Sequence, residues 1–349
     1  MTDLIQRDAI ISSAALPGLA GDDDHEDADA SVDAALFELR EAVVPVESHA
    51  LRLDLALVQI VPEFSRSYLQ QLVDSGAVAH NGRIQTKASS KVKAGDRLSI
   101  ELKPTPQSQA FKPQSIALDV VYEDSHILVI NKLAGLVVHP APGNWSGTLL
   151  NGLLARDAQA FFLPRAGIVH RLDKDTSGLM VVARTRQAMD QLVQMIAARN
   201  VNRQYIALAH NTWVGAKNLQ IDFPVGRDVK NRLRMAVVDL SKNPGKTAST
   251  TISLLENGDR FCLVKCKLHT GRTHQIRVHM AAIGHALLAD ELYGGLPGGG
   301  LRRQALHACE LAFAHPVTGE ALRFKSPIST DMNVAIQHVG LRYNSKLES

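Results

Sequence analysis

The sequence predicts an α+β protein, a small leading module followed by a larger domain rich in strands. Three observations carry that expectation. The chain has 349 residues, which fits two domains with appendages. Residues 50–103 alternate short helical and strand signals and run into Pro104, Pro106 and Pro113, a linker-like stretch. Beyond it, short apolar runs of strand character recur, with two helical segments among them.

Residues 1–48 read as an acidic tail. Gly21-Asp22-Asp23-Asp24-His25-Glu26-Asp27 is a block that composition leaves disordered, and 31–43 forms a short helix at most. In the module 50–103, residues 51–60 have helical apolar spacing. Ser65 is placed to cap a second helix over 66–75, with Leu69, Leu72 and Val73 on one face and Gly76 as its stop. Residues 77–80, the turn pair Asn81-Gly82 and Arg83-Ile84 make a hairpin. Lys93-Ala94-Gly95-Asp96 turns the chain into a last strand, 97–102. Arg66, Arg83, Lys87, Lys91 and Lys93 lie on or beside the second helix and the hairpin. This order of elements resembles the S4-like RNA-binding domain.

Residues 104–115 are the expected linker and 116–330 the larger domain. Its strands are expected over 116–121, 127–130, 178–183, 203–209, 250–255 and 261–268. Thr185 is placed to cap a helix running to Arg199, with Met189, Leu192, Val193 and Ile196 on one face, and 275–283 is a second helix. The glycine-rich stretch 294–300 is expected as a mobile loop, 331–349 as a C-terminal extension, and 344–349 as its frayed end.

Composition narrows the classes of function. The chain is 45% hydrophobic, enough for a sizeable core. No apolar run approaches the ~20 residues that span a bilayer, and no signal peptide is visible at the N-terminus. Three cysteines, Cys262, Cys266 and Cys309, argue against a disulfide framework and fit a reducing cytoplasm. Residues 1–48 hold twelve Asp or Glu against two Arg, a net −10, so the overall +3 leaves +13 on the other 301 residues. A body charged in that way points to a polyanionic partner, nucleic acid first.

The richest segment for chemistry is Gly167-Ile168-Val169-His170-Arg171-Leu172-Asp173-Lys174-Asp175-Thr176-Ser177. It places a histidine, two carboxylates and two cations at the edge of a buried apolar run. Charges there cost several kcal/mol each unless paired. Cys262, Cys266, His269 and His274 form a metal-like string. However, Cys262, Val264, Cys266 and Leu268 alternate as one strand face, and the long spacer of a zinc finger is missing. His170-Arg171-Leu172-Asp173 has a superficial kinase look, without a glycine-rich phosphate loop, an Asp-Phe-Gly or a Walker-type loop beside it. What remains is Asp173, Tyr205 in Arg203-Gln204-Tyr205, and Gly271-Arg272-Thr273-His274-Gln275-Ile276-Arg277-Val278-His279.

Residues 165–179 resemble the active-site motif of the RluA/RluD-type RNA pseudouridine synthases. Residues 128–140, 271–280, Ile283-Gly284-His285 with Asp290, Ala305-Leu306-His307-Ala308 and 315–320 are similar to the same family, and the likeness spans about 50–330. Leu133 and Ala286 stand where the family usually has proline. The resemblance implies a mixed, largely antiparallel sheet and isomerisation of uridine to pseudouridine in RNA, with 23S ribosomal RNA of the large subunit as the closest fit. It implies Asp173 as the essential carboxylate, attacking C1′ or removing the C2′ proton. Arg277 is then its partner and Tyr205 the ring that stacks on uracil. Arg171 would hold RNA in or beside the gap left by the flipped base. Further RNA contacts are expected from His170, Arg66, Arg83, Lys87 and Arg272. Asp175 is expected to be structural, although an extended segment would turn it to the side of Asp173. His274 and His279 are expected on the RNA-facing wall. No metal, nucleotide or other cofactor is implied. The expected partner is ribosomal RNA or a precursor of the large subunit, met by a monomer away from membranes. A tRNA target, another ribosomal site, or a non-catalytic RNA chaperone are the alternatives.

Overall fold

A computed structural model describes residues 38–102, 110–141, 143–231 and 234–343. The acidic block at 21–27, most of the expected tail, the prolines Pro104 and Pro106 and the end 344–349 lie outside the described residues. The chain divides into two compact units, Met1–Lys103 and Pro104–Ser349.

The smaller unit is a four-stranded sheet, β1 (Glu38–Val43), β2 (Val78–His80), β3 (Arg83–Ile84) and β4 (Arg97–Leu102), with α1 (Leu53–Ile60) and α2 (Arg66–Asp74). Strand order is β1-β4-β2-β3. Leu53, Leu57, Leu69, Leu72, Val78, Leu98 and Ile100 form its core. Ser65 caps α2 by accepting from the Tyr68 N–H, and Asn81 and Gly82 both adopt positive φ, as the tight hairpin requires. Strand β1 overturns the expected tail boundary and the short helix over 31–43. It pairs antiparallel along the whole of β4, from Glu38 opposite Leu102 to Val43 opposite Arg97. No side chain of β1 is buried, so the strand is held by its backbone hydrogen bonds and hydropathy carries no trace of it. Arg66 is exposed and also has a partner within its own unit. Its Nη2 lies 2.7 Å from Oδ2 of Asp54, a buried carboxylate that Arg52 and Gln70 also engage. Burial disfavours the Asp54 charge, but these donors outweigh it and hold the acid below the ordinary carboxylate range. Arg83 and Lys87 are exposed.

The larger unit is built on a nine-stranded sheet. Its members are β5 (Val120–Glu123), β6 (Ile127–Lys132), β7 (Ser177–Ala183), β8 (Asn202–His210), β9 (Asn218–Ile221), β13 (Thr250–Asn257), β14 (Phe261–Leu268), β15 (Leu306–Ala314) and β16 (Ala321–Lys325). The order is β5-β6-β7-β15-β8-β14-β13-β9, with β16 on β15. Only β7 and β15 are parallel neighbours, so the sheet is mixed and largely antiparallel. A small second sheet joins β10 (Val225–Arg227), β11 (Met235–Val237) and β12 (Gly245–Lys246). Among the described residues four α-helices complete the unit, α3 (Leu149–Arg156), α4 (Arg186–Ala197), α5 (Gln275–Ala282) and α6 (Thr330–His338).

Cys262, Val264 and Cys266 face inward on β14 and pack in the main core. Thr185 caps α4 as expected, but Val193 is exposed while Ala188 and Leu192 are buried. The linker is shorter than expected, because Asn151, in the capping box of α3, donates to the carbonyls of Ala110 and Lys112 at 3.2 and 2.8 Å. The extension is part of the core, since Met332, Ala335 and Ile336 of α6 are fully buried against Ile206, Leu208 and Leu288. The stretch 294–300 is a loop, as expected, with Leu296 exposed and Gly295 buried. A Cβ on Gly295 would fall 1.8 Å from the Leu287 carbonyl oxygen, so that glycine serves close approach.

Candidate active site

Strand β7 is buried along its whole length, and β15 runs parallel to it only at Ser177 and Gly178. Gly178 makes this possible, because a Cβ there would lie 2.2 Å from the Ala308 carbonyl oxygen. Beyond Gly178 the open edge of β7 is closed by the segment that precedes it. Ile168 bridges Val182, and the Val181 N–H donates to His170 Nε2 at 3.1 Å. Burial, and then the charge of Arg203, push His170 down to about 3. Its neutral ring acts as a backbone acceptor that completes the sheet edge, and the residue also lines the adjacent cleft.

The chain then turns. The Thr176 N–H donates to the Asp173 carbonyl at 3.1 Å, so 173–176 is not extended. Asp173 lines the adjacent cleft and Asp175 does not, contrary to the shared face an extended segment would give. Two cations staple the turn. Lys132, 2% exposed, donates to the carbonyls of Leu133, Leu136 and Lys174 at 2.8, 3.0 and 2.9 Å. Burial pulls its ammonium down to about 8, against the opposing charges of Asp175 and Asp173. From the other side, Arg303 donates to the Asp175 carbonyl at 2.9 Å while its fork holds Asp331 of α6.

Arg277 of α5 meets the turn. Its Nε and Nη2 fork Asp290 at 2.8 and 2.7 Å, and its Nη1 reaches Asp173 Oδ2 at 3.1 Å. Burial works against the Arg277 charge, but Asp290 and Asp173 together raise its pKa above the ordinary arginine value. The guanidinium also lies over the Tyr293 ring, 5.0 Å from its centre. The Tyr293 hydroxyl hydrogen-bonds His274 Nδ1 at 2.8 Å, and His274 Nε2 stands 3.8 Å from Asp173 Oδ1. Tyr205 is 5% exposed on β8, and burial pushes its hydroxyl up to about 12.

Asp173, Tyr205, His274 and Arg277 line one cleft of about 440 Å³, within the size range of pockets that take a small ligand, roughly 300–1,000 Å³. Its described lining holds six arginines, Arg165, Arg171, Arg199, Arg203, Arg272 and Arg277, and one carboxylate, Asp173. Arg171 is exposed at the rim, while Arg272 is half-buried and donates to the Thr247 carbonyl at 3.0 Å. His279 is not on the wall. It is fully buried between the Thr250 hydroxyl and the Phe223 carbonyl, at 3.0 and 2.9 Å. Asp290 enters the sequence reading only as a matching residue, and Lys132, Arg303, Tyr293 and Arg203 carry no role there. Lys132 does leave a signal, a cation directly after the apolar run Ile127-Leu128-Val129-Ile130. Arg303 leaves none, because its partners are 28 and 128 positions away in the chain.

Two histidines held neutral by desolvation, the partly buried His170 and the buried His307, give the unit a pH dependence. His170 is held neutral down to about 3, and His307, which hydrogen-bonds Ser177 at 2.9 Å, down to about 4, burial being the first cause in both. Below pH 6.5 the unfolded chain binds protons at these positions and the folded chain does not. Stability therefore falls with pH across 6.5 to about 4, by about 1.4 kcal/mol per pH unit for each fully titrating group. Denaturant titrations between pH 7 and 4.5 are expected to show this loss before the carboxylates titrate. A flat midpoint over that window contradicts it.

Residues 126–282 match the family model described as RNA pseudouridylate synthase, and residues 51–98 match the S4 domain. The ribosomal large subunit pseudouridine synthase D of Neisseria meningitidis serogroup B is 45% identical over 300 residues, 83% of this chain and 79% of that one. The protein of the same name from Xanthomonas campestris pv. campestris is 45% identical over 307 residues, 84% of this chain and 90% of its own. Among solved structures, Human RNA Pseudouridylate Synthase Domain Containing 4 shares the fold with a TM-score of 0.52 at 24% identity, over 64% of this chain and 94% of that one. With a leading S4 domain and a cleft that joins Asp173, Tyr205 and Arg277, the chain belongs to the RNA pseudouridylate synthase family and is an RNA pseudouridine synthase, an isomerase.

Proposed function

We propose that this enzyme converts specific uridines of large-subunit ribosomal RNA, 23S rRNA, to pseudouridine, with Asp173 as its essential carboxylate. The observation that carries the role of Asp173 is its setting, one carboxylate in a cleft lined by six arginines, paired with a guanidinium that Asp290 already clamps. The names of the relatives support the large-subunit substrate.

The reaction breaks the C1′–N1 bond, turns the base, and joins C5 to C1′. Composition does not change, so no redox or group-transfer cofactor is required. A base stacked in RNA must first leave its stack, which costs a few kcal/mol. The exposed guanidinium of Arg171 offsets part of that cost at the phosphates or in the gap. Tyr205 offers a ring for the uracil, a contact worth about 1–3 kcal/mol. Arg277 pairs with Asp173 at 3.1 Å and aims it, ready to attack C1′ or to take the C2′ proton. The S4 unit adds grip on structured RNA through exposed cations such as Arg83 and Lys87. On this reading the protein works as a cytoplasmic monomer without metal or small-molecule cofactor. Among the described residues no helix is long and apolar enough to cross a membrane.

The test is pseudouridine mapping of ribosomal RNA and tRNA from a strain lacking the gene, with and without the wild-type copy. Defined large-subunit positions are expected to lose pseudouridine and to regain it on complementation. An intact large-subunit map with losses confined to tRNA overturns the assigned substrate.

A further inference from the structure

Among the described residues, Arg203 is a cation without a partner. It is 6% exposed, and its Nε is shut off from solvent with no acceptor among the described residues. No hydrogen bond or ion pair among the described residues engages its guanidinium, whereas the other buried arginine of this region, Arg277, is forked by Asp290, and the half-buried Arg303 by Asp331. Arginine is almost never buried unpaired, because the desolvation of its charge is then uncompensated. The side chain nevertheless lines the catalytic cleft.

Its place in the sheet says what it faces. Arg203 and Tyr205 are two residues apart on β8, so both point to the same side of the sheet. Arg203 stands opposite Leu268 and Leu311, and Tyr205 opposite Cys266 and Ala308, all apolar or sulfur side chains. Gly271 leaves the guanidinium its space, since a Cβ there would fall 2.8 Å from Arg203 Nη1. The rim guanidines Arg165, Arg171 and Arg199 are exposed, as suits phosphates that stay in solvent. A cation buried beside Tyr205 suits what enters the cleft, the base.

We propose that Arg203 is a further catalytic residue, whose guanidinium stabilises the negative charge that the uracil carries while it is detached from the ribose. This rests on the reading of the cleft as a uridine-isomerising site. When C1′–N1 breaks, its electron pair passes to the base and spreads over N1, O2 and O4. Asp173 bonds C1′ or takes the C2′ proton in the same phase. C5 then attacks C1′ with that electron pair, which discharges the base, while the Asp173 bond breaks or its proton returns to C2′; the C5 proton leaves to solvent and N1 takes up a proton from solvent, so the composition is unchanged. A fixed guanidinium facing the base oxygens acts only while that charge exists, which is how such donors lower a barrier without tightening substrate binding.

The experiment compares wild type, Arg203→Met, Arg203→Lys and Gly271→Ala on unmodified large-subunit rRNA carrying tritium at uridine C5. Single-turnover tritium release, RNA affinity at two salt concentrations and thermal midpoint are read together. Arg203→Met is expected to slow release on the order of 10²–10³-fold, the cost of one lost oxyanion donor. Its affinity and salt slope stay as in wild type, and its midpoint is unchanged or higher, because an unpaired buried charge has gone. Arg203→Lys recovers part of the rate, and Gly271→Ala, which displaces the guanidinium and keeps its charge, loses part of it. Unchanged release overturns the proposal. So does weaker RNA binding with a shallower salt slope, the mark of a phosphate clamp, or a lowered midpoint that accounts for the loss. Wild-type protein that releases no tritium sinks the substrate reading and this one with it, whereas wild-type turnover with unaffected Arg203→Met sinks this one alone.

Discussion

Asp173→Asn is expected to abolish pseudouridine formation and leave a folded protein that still binds ribosomal RNA. The amide keeps the size of the side chain and an oxygen for Arg277, but it can neither attack C1′ nor take a proton. If the work is proton abstraction alone, the loss is on the order of 10²–10⁴-fold, and it is larger if a covalent bond to C1′ is required. The fold tolerates the change because Asp173 is only the third contact of Arg277. The fork to Asp290, at 2.8 and 2.7 Å, remains. Affinity holds because the variant removes the one carboxylate among six arginines, so the field that attracts phosphates strengthens. Single-turnover kinetics and filter binding on the same rRNA test both halves. Turnover within tenfold of wild type would falsify the assignment of Asp173, and a large loss of affinity would show that its role is in binding.

Arg277→Met is expected to damage stability and activity together. It leaves Asp290, 1% exposed, as a buried carboxylate without its fork, and breaking such a pair costs about 3–5 kcal/mol. Asp173 loses its nearest cation at the same time. Arg277→Lys separates the effects. An ammonium keeps the charge but cannot fork one carboxylate while reaching a second, so stability recovers in part and the rate stays low. Chemical denaturation and single-turnover rates check the pair of variants. Wild-type stability in Arg277→Met would mean that the buried cluster is not a cooperative unit, and a wild-type rate in Arg277→Lys would remove the aiming role.

Much of the fold was legible because local chemistry and tertiary outcome agree. Ser65 and Thr185 cap their helices where the side-chain oxygen predicts. Asn81-Gly82 turns, and β14 alternates as its cysteines suggest. Strands that failed to announce themselves are those whose partners lie elsewhere. Strand β1 buries no side chain. The central β15 carries His307 and Glu310, which read as surface residues. Glu310 is buried because Arg323, Gln204 and Asn202 converge on it at 2.8, 3.1 and 3.3 Å.

The sequence alone determined the family, the α+β class and the residue types the chemistry needs, because these rest on contiguous strings and short-range periodicity. The tertiary structure alone decided which charges are partnered. Asp173 and Arg277 are 104 positions apart, and the Arg277 fork to Asp290 is what leaves one of its nitrogens for Asp173. His170 became a sheet-edge acceptor and Arg66 a counter-charge of a buried Asp54, while Arg203 has no partner among the described residues on the wall of the cleft. The reason is physical. Burial makes each charge depend on its nearest neighbours in space, and those neighbours exist only once distant strands and helices have packed.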